Sequence, residues 1–211
     1  MSDEYNFYIK KKRPEDIFDD VREYYTKDMI SWYANSKSII KTQEKITIRA
    51  LEVLDLKEKK YLILDAGSGP GFTAMYLNKI GHRTVALDII PDFLNHYNIR
   101  DLNPIAADML NLPFRPNSFN AIVSISALQW IYREICINKT EKKYKNLSKS
   151  LFNILKPYSK AVFQFYPKSK AAMDIIGKII VENTNFNGNF IIDNPDNPKK
   201  RKIFLFLRKD R

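Results

Sequence analysis

The sequence predicts an α/β fold: a seven-stranded, mostly parallel sheet with an antiparallel terminal hairpin, preceded by an N-terminal helical cap. Three observations carry that expectation. From Tyr61 onward, short apolar runs alternate with helix-length segments, the rhythm of parallel strands joined by crossover helices. A glycine-rich turn, Gly67-Ser68-Gly69-Pro70-Gly71, stands between the first such strand and the first such helix. The last two strand-like runs have no helix between them, only the turn-rich Asp193-Asn194-Pro195-Asp196-Asn197-Pro198.

At 211 residues the chain suits one α/β unit with a short extension, read as a helical cap over 1–56 and a sheet domain over 57–211. Residues 1–13 form a polar lead. Pro14-Glu15-Asp16 opens a helical pattern through about Tyr25, with acids in its first turn. Asp28 is placed to cap a second short helix through Asn35. From Ser38 to Leu54, residues Ile39, Ile40, Ile46, Ala50, Val53 and Leu54 recur close to the helical period. Strands are expected at 61–65, 84–88, 104–107, 120–126, 160–166, 189–192 and 202–208. Helices are expected at about 71–80, 91–98, 142–154 and 169–183.

Composition bounds the function. Hydrophobic residues make up 45% of the chain, and 13 Phe, 12 Tyr and 2 Trp supply a real core. The single cysteine, Cys136, leaves no internal disulfide and reads as a small buried apolar residue rather than a nucleophile. No apolar run is long enough to cross a membrane, and Asp3 and Glu4 do not open a secretory signal, so a cytoplasmic protein is expected. The net charge is +11, from 35 Lys and Arg against 24 Asp and Glu. That surplus has two readings: a polyanionic partner, or a generally lysine-rich composition. The cations cluster at Lys10-Lys11-Lys12-Arg13, Lys57 to Lys60, Lys142-Lys143-Lys145 and Lys199-Lys200-Arg201-Lys202.

The chemistry is concentrated at the strand ends. A dinucleotide loop, Gly-x-Gly-x-x-Gly, needs a sixth-position glycine where this chain has Phe72. The pattern from Asp65 through Gly67, Ser68, Gly69 and Gly71 instead resembles the first motif of the class I S-adenosylmethionine-dependent methyltransferases, whose fold is Rossmann-like. Glycines there let the main chain approach the cofactor's amino-acid end, and Asp65 stands where a carboxylate can organise the loop and the ligand's ammonium group. Asp88 ends the second strand 21 residues after Gly67, with Ile89 beside it. An acid at that point can accept hydrogen bonds from both ribose hydroxyls, or it can serve as a helix N-cap before Pro91. Dinucleotide enzymes carry a similar acid, so Asp88 supports an adenosine ligand without choosing the class. Asp108 follows the third strand, where a carboxylate can take the adenine amino group while Met109 packs on the purine. Ser124 and Ser126 end the fourth strand, beside the expected methyl-donor sulfur.

A narrower resemblance rests on Ile125-Ser126-Ala127-Leu128-Gln129-Trp130, on Gln164-Phe165-Tyr166-Pro167, on Asn187-Gly188-Asn189-Phe190 with Asp193-Asn194-Pro195 and Lys199 to Lys202, and on the leading block. That block holds Arg13-Pro14-Glu15, Tyr24-Tyr25, Tyr33-Ala34-Asn35-Ser36, Gln43 and Arg49-Ala50-Leu51-Glu52. Together they are similar to the small-subunit (18S/16S-type) rRNA (guanine-N7)-methyltransferases, over nearly the whole chain. Two departures stand out: Ser68 replaces the family's usual cysteine in the glycine loop, and the basic tail of eukaryotic members is not seen before Arg211. The second suggests an archaeal-like member.

The resemblance implies S-adenosylmethionine as cofactor, the small ribosomal subunit or its precursor as substrate, and no metal. Guanine N7 has a free lone pair and no proton, so no general base is required, and neither His82 nor His96 is assigned one. Trp130 is expected to stack on or wall a flipped guanine, with Gln129, Tyr166 and Pro167 helping to position it; the alternative for Trp130 is a core aromatic. Tyr25, Tyr33, Asn35 and Ser36 are candidates to close the cofactor pocket or simply to pack the cap. The resemblance also implies a small zinc-binding activator subunit, added along an edge strand near Ile105 to Ala107. Other substrates (tRNA, protein or a small molecule) and a non-catalytic assembly role are the competing readings.

Overall fold

The computed structural model describes residue 7 and residues 12–57, 60–95, 100–131 and 137–210. Its strands are β1 (Leu62–Ala66), β2 (Arg83–Asp88), β3 (Ile105–Ala106), β4 (Phe119–Ile125), β5 (Leu155–Phe165), β6 (Phe186–Asp193) and β7 (Lys202–Lys209). They form one seven-stranded sheet in the order β3-β2-β1-β4-β5-β7-β6. The first five pair in parallel, whereas β7 runs antiparallel to both β5 and β6. The expected mostly parallel sheet with a reversed terminal strand is what the chain builds.

Alternation along the strands sorts side chains to two faces. On one face Leu64, Ile122, Phe163 and Leu205 meet α7 (Ile137–Ile154) and α8 (Lys170–Glu182) through Leu147, Leu151, Ile176 and Ile180. On the other, Ile63, Ala121, Val123, Val162 and Phe204 meet α4 (Lys37–Leu54) and α5 (Phe72–Lys79). The apolar stripe expected over Ser38 to Leu54 therefore buries against the sheet itself: Ile46, Ala50 and Leu54 are core residues. A hydroxyl pair at 3.0 Å, Thr47 with Thr73, fastens α4 to α5.

The helical segment expected over 14–25 is broken into α1 (Pro14–Ile17) and α2 (Val21–Tyr24). The first ends where Phe18 turns extended, and Asp20 starts the second, its carboxylate accepting from Arg22 N at 2.9 Å. α3 (Lys27–Asn35) is capped by Thr26, whose hydroxyl accepts from Met29 N, rather than by Asp28. α6 (Pro91–Leu94) covers the start of the segment expected over 91–98; His96 and Cys136 lie outside the described residues.

Two strands start earlier than expected. β5 begins at Leu155, with Tyr158 at φ 63° and a register irregularity opposite Phe119 and Ala121. β6 begins at Phe186 and runs through Gly188, where a Cβ would lie 2.5 Å from Phe206 O. β3 is only two residues long and forms the sheet edge beside β2, the edge expected for this strand. The C-terminal ends of β1, β2, β3 and β4 all open toward the same side, where parallel sheets hold their ligands.

Candidate active site

β1 delivers the chain into the glycine loop, which hangs from the end of β2: Gly67 N and Ser68 N both donate to Leu87 O, at 2.8 and 2.9 Å. Gly67 and Gly69 adopt φ of 75° and 52°, conformations that side chains resist. Their surroundings differ. A Cβ on Gly67 would stand 2.5 Å from Ala127 Cβ, whereas one on Gly69 would meet nothing within 4 Å. Gly67 permits tight packing; Gly69 leaves its space open to the cavity.

Asp88 closes the loop from the other side. Its carboxylate accepts from Gly69 N at 2.7 Å and from Ile90 N at 2.9 Å. Burial pushes its pKa up to about 6, against the lowering effect of those backbone donors. A carboxylate offers about four lone-pair sites, so further hydroxyl donors would relieve the buried charge. Asp108 is exposed, and accepts from Leu110 N at 2.9 Å.

A cavity of about 270 Å³ joins these parts. Of the residues expected to bind cofactor, Gly67, Ser68, Gly69, Asp88, Ile89, Asp108 and Met109 all lie on its wall, as does Trp130 from the acceptor set. Asp65 does not. It is fully buried, accepts from Ala74 N at 3.0 Å inside the first turn of α5, and burial pushes its pKa up to about 8. Its role is to fasten the start of that helix rather than to meet a ligand ammonium.

Ser124 is a correction of the same kind. The side chain is fully buried and its hydroxyl donates to Ala66 O at 2.7 Å, so it tethers β4 to the end of β1. The strand-end serine on the cavity wall is Ser126, held at φ 58° while its hydroxyl donates to Gln164 Oε1. Gln129 sits behind the wall: its Nε2 donates to Ser126 O at 2.9 Å, and its Oε1 is buried with no partner. Tyr166 and Pro167 are also off the wall. Tyr166 O accepts from Arg13 at 2.6 Å, and the ring faces the Arg13 and Lys202 cations at 5.9 and 5.4 Å. With the Lys168–Asp16 ion pair at 2.6 Å, this anchors the N-terminal helices to the end of β5.

Those helices bring an aromatic roof. The Tyr25 ring lies 5.9 Å from Trp130, 4.8 Å from Phe93 and 5.9 Å from Tyr33, and Tyr33 stacks on Phe72 at 6.1 Å. Burial raises the pKa of the Tyr25 hydroxyl well above its ordinary value and pushes that of Tyr33 up to about 12, so both stay neutral. Tyr25 and Tyr33 line the cavity, whereas Asn35 and Ser36 bond locally to Ser31 and Ser38. Asp19, Asp20, Arg22 and Lys143 also reach the wall. Lys143 was visible only as one lysine of a cluster, and the other three carried no local signal.

The open space at Gly69 suits a ligand lying against backbone, buried Asp88 suits a diol, and Asp108 with Met109 suits a purine; the cavity fits an adenosine–methionine ligand. Together with the strand order, this defines an S-adenosylmethionine-dependent methyltransferase. Residues 64–163 match the family model described as a methyltransferase domain. The fold is shared with a Methanococcus maripaludis protein assigned to the S-adenosyl-L-methionine-dependent methyltransferases (TM-score 0.67, 16% identity, 97% of this chain and 98% of that one). It is shared too with Haemonchus contortus phosphoethanolamine N-methyltransferase 2 in complex with S-adenosyl-L-methionine (TM-score 0.67, 14% identity, 90% and 59%).

Sequence relatives narrow the class. The 18S rRNA (guanine-N7)-methyltransferase of Bos taurus is 34% identical over 87% of this chain and 67% of its own length. The Mus musculus enzyme of that name is 32% identical over the same shares, 87% and 67%. The Saccharomyces cerevisiae 18S rRNA (guanine(1575)-N7)-methyltransferase is 34% identical over 78% and 61%. The chain belongs to the 18S rRNA (guanine-N7)-methyltransferase family.

Proposed function

We propose that this chain methylates N7 of a guanine in small-subunit rRNA during ribosome biogenesis. The observation that carries the reading is that Gly69, Asp88 and Trp130 line one cavity, with the Tyr25 ring 5.9 Å from Trp130. Gly67, Ser68 and Gly69 would hold the cofactor's amino-acid end, Asp88 with Ile89 the ribose, and Asp108 with Met109 the adenine. Bound S-adenosylmethionine supplies an electrophilic methyl on its sulfonium. The protein's task is then to orient the base and keep the slot dry. Well-oriented reactants gain at best about 7–11 kcal/mol this way. Since N7 carries no proton, this acceptor asks no proton abstraction of the carboxylates on the cavity wall. Trp130 walls the base, and Gln129, behind the wall, donates to Ser126 O and so steadies the turn that carries Trp130.

The partner belongs to the same proposal. Among the described residues nothing pairs with the outer edge of β3, where Ala106 is exposed and Ile105 half-buried, and there a small zinc-binding activator subunit would add a strand. The enzyme would act in the cytoplasm.

Tritiated S-adenosylmethionine, with small subunits from a strain lacking this protein, tests the proposal with activator added and omitted. Label in small-subunit RNA and borohydride–aniline cleavage at one guanine are expected. Absence of label with activator present, despite cofactor binding, rejects it.

A further inference from the structure

The cavity wall is rich in acids, although the proposed substrate is a polyanion. Asp19, Asp20, Asp88 and Asp108 all reach it, against the cations Arg22 and Lys143. Arg22 is already paired, its guanidinium 2.9 Å from Asp20. Lys143 is exposed, and among the described residues it has no acid partner. The nearby carboxylate on its own helix, Glu141, is taken by Lys145 at 2.6 Å. An ammonium group held at the rim of a ligand cavity without a counter-charge is a ready anion contact.

The cofactor does not supply that anion. Its only carboxylate belongs to the amino-acid end, which the proposed function assigns to the glycine loop, and that loop feeds α5 on the α4 face of the sheet. Lys143 rides on α7, which packs with α8 on the opposite face. There α7 is tied to the segment after β3, through Ser150 Oγ accepting from Leu112 N at 3.0 Å. Lys143 therefore rides on the helix that packs beside the segment following Asp108 and Met109, where the proposed function puts a neutral purine.

We infer that Lys143 grips a backbone phosphate of the RNA beside the nucleotide inserted in the cavity. The inference rests on the RNA reading above and names a contact within it. It explains how a polyanion is accepted at an acid-bearing cavity: a cation with no acid partner among the described residues fixes the strand while the base enters past the aromatic roof. Phosphate contacts of this kind set register rather than sequence.

The test compares wild type with Lys143→Gln, Lys143→Glu and Lys143→Arg in the complete enzyme. Binding of small-subunit RNA is measured across a salt series, S-adenosylhomocysteine binding by calorimetry, and methyl transfer by label. Lys143→Gln should weaken RNA binding about 3–10-fold at low salt and flatten the slope of log affinity against log salt by about 0.7–1. Lys143→Glu should weaken it further, and Lys143→Arg should keep the wild-type slope. Affinity for S-adenosylhomocysteine should not change in any variant. An unchanged RNA affinity and slope in Lys143→Gln overturns the inference, as does a loss confined to cofactor affinity. Failure of the wild type itself to methylate small-subunit RNA overturns instead the reading on which it rests.

Discussion

Lowering the pH should loosen the cofactor without loosening the protein, and the reason is Asp88. Its carboxylate is buried, held by Gly69 N and Ile90 N, and its pKa is pushed up to about 6. Ribose hydroxyls need an ionised acceptor. At pH 7.5 nearly every molecule offers one; at pH 5 only about one in ten does, so the apparent Kd should rise about tenfold. S-adenosylhomocysteine is the probe of choice, because none of its own groups titrates across that window. Stability should move the other way. The folded pKa lies above the ordinary 3.8, so burying the charged form costs on the order of 3 kcal/mol above about pH 6. The cost fades as pH falls toward 3.8. Calorimetric titration at pH 7.5, 6 and 5, with thermal unfolding at each, separates binding from folding. Asp88→Asn supplies the control: its amide can satisfy only one of the two backbone donors. It should bind roughly 10–100-fold more weakly at pH 7.5, with the pH dependence gone. A wild-type Kd that stays flat from pH 7.5 to 5, or an Asp88→Asn protein with the same slope as wild type, would refute the assignment of Asp88.

Three further outcomes follow from the same geometry. Gly67→Ala forces a methyl to 2.5 Å from Ala127 Cβ in a left-handed conformation and should lose about 2–4 kcal/mol of stability by denaturant titration. Gly69→Ala meets no protein atom and should lose only about 1–2 kcal/mol, yet weaken S-adenosylhomocysteine binding clearly, because its methyl occupies the open cavity. Trp130→Ala should lower kcat/KM for RNA about 10–100-fold while changing cofactor affinity little, as measured by label transfer and calorimetry. Ser124→Ala removes the donor to Ala66 O and should cost about 1–3 kcal/mol of stability, with cofactor affinity intact.

Much of the sheet was legible because its strands carry their own signal. Leu62-Ile63-Leu64 and Ala121-Ile122-Val123 are apolar runs ending in polar residues, and the turn-rich 193–198 segment announces the reversal between β6 and β7. Lys156-Pro157-Tyr158 hid the start of β5, since proline and a positive-φ tyrosine look like the end of an element; pairing with Phe119 overrides them. At the site, glycines and strand-end acids were readable because backbone geometry demands them locally. Ser124 and Ser126 were not separable, because which one faces the cavity depends on the path of the chain after Ile125. Arg22 on α2 and Lys143 on α7 reach the cavity through tertiary contacts that no spacing encodes.

The order of the last three strands also governs how the molecule is made. β7 lies between β5 and β6, and β6 pairs with β7 alone. Residues 186–193 are synthesised first, but they have no place in the sheet until 202–209 slide in beside β5. Until then the outer edge of β5, with Val162, Phe163 and Phe165 on its faces, ends the sheet with its hydrogen-bonding groups unpaired. A nascent chain halted between these strands therefore presents an adhesive apolar edge. Production of the protein is most exposed to aggregation in that interval, and substitutions that slow the 193–202 connector should lower soluble yield before they alter the finished fold.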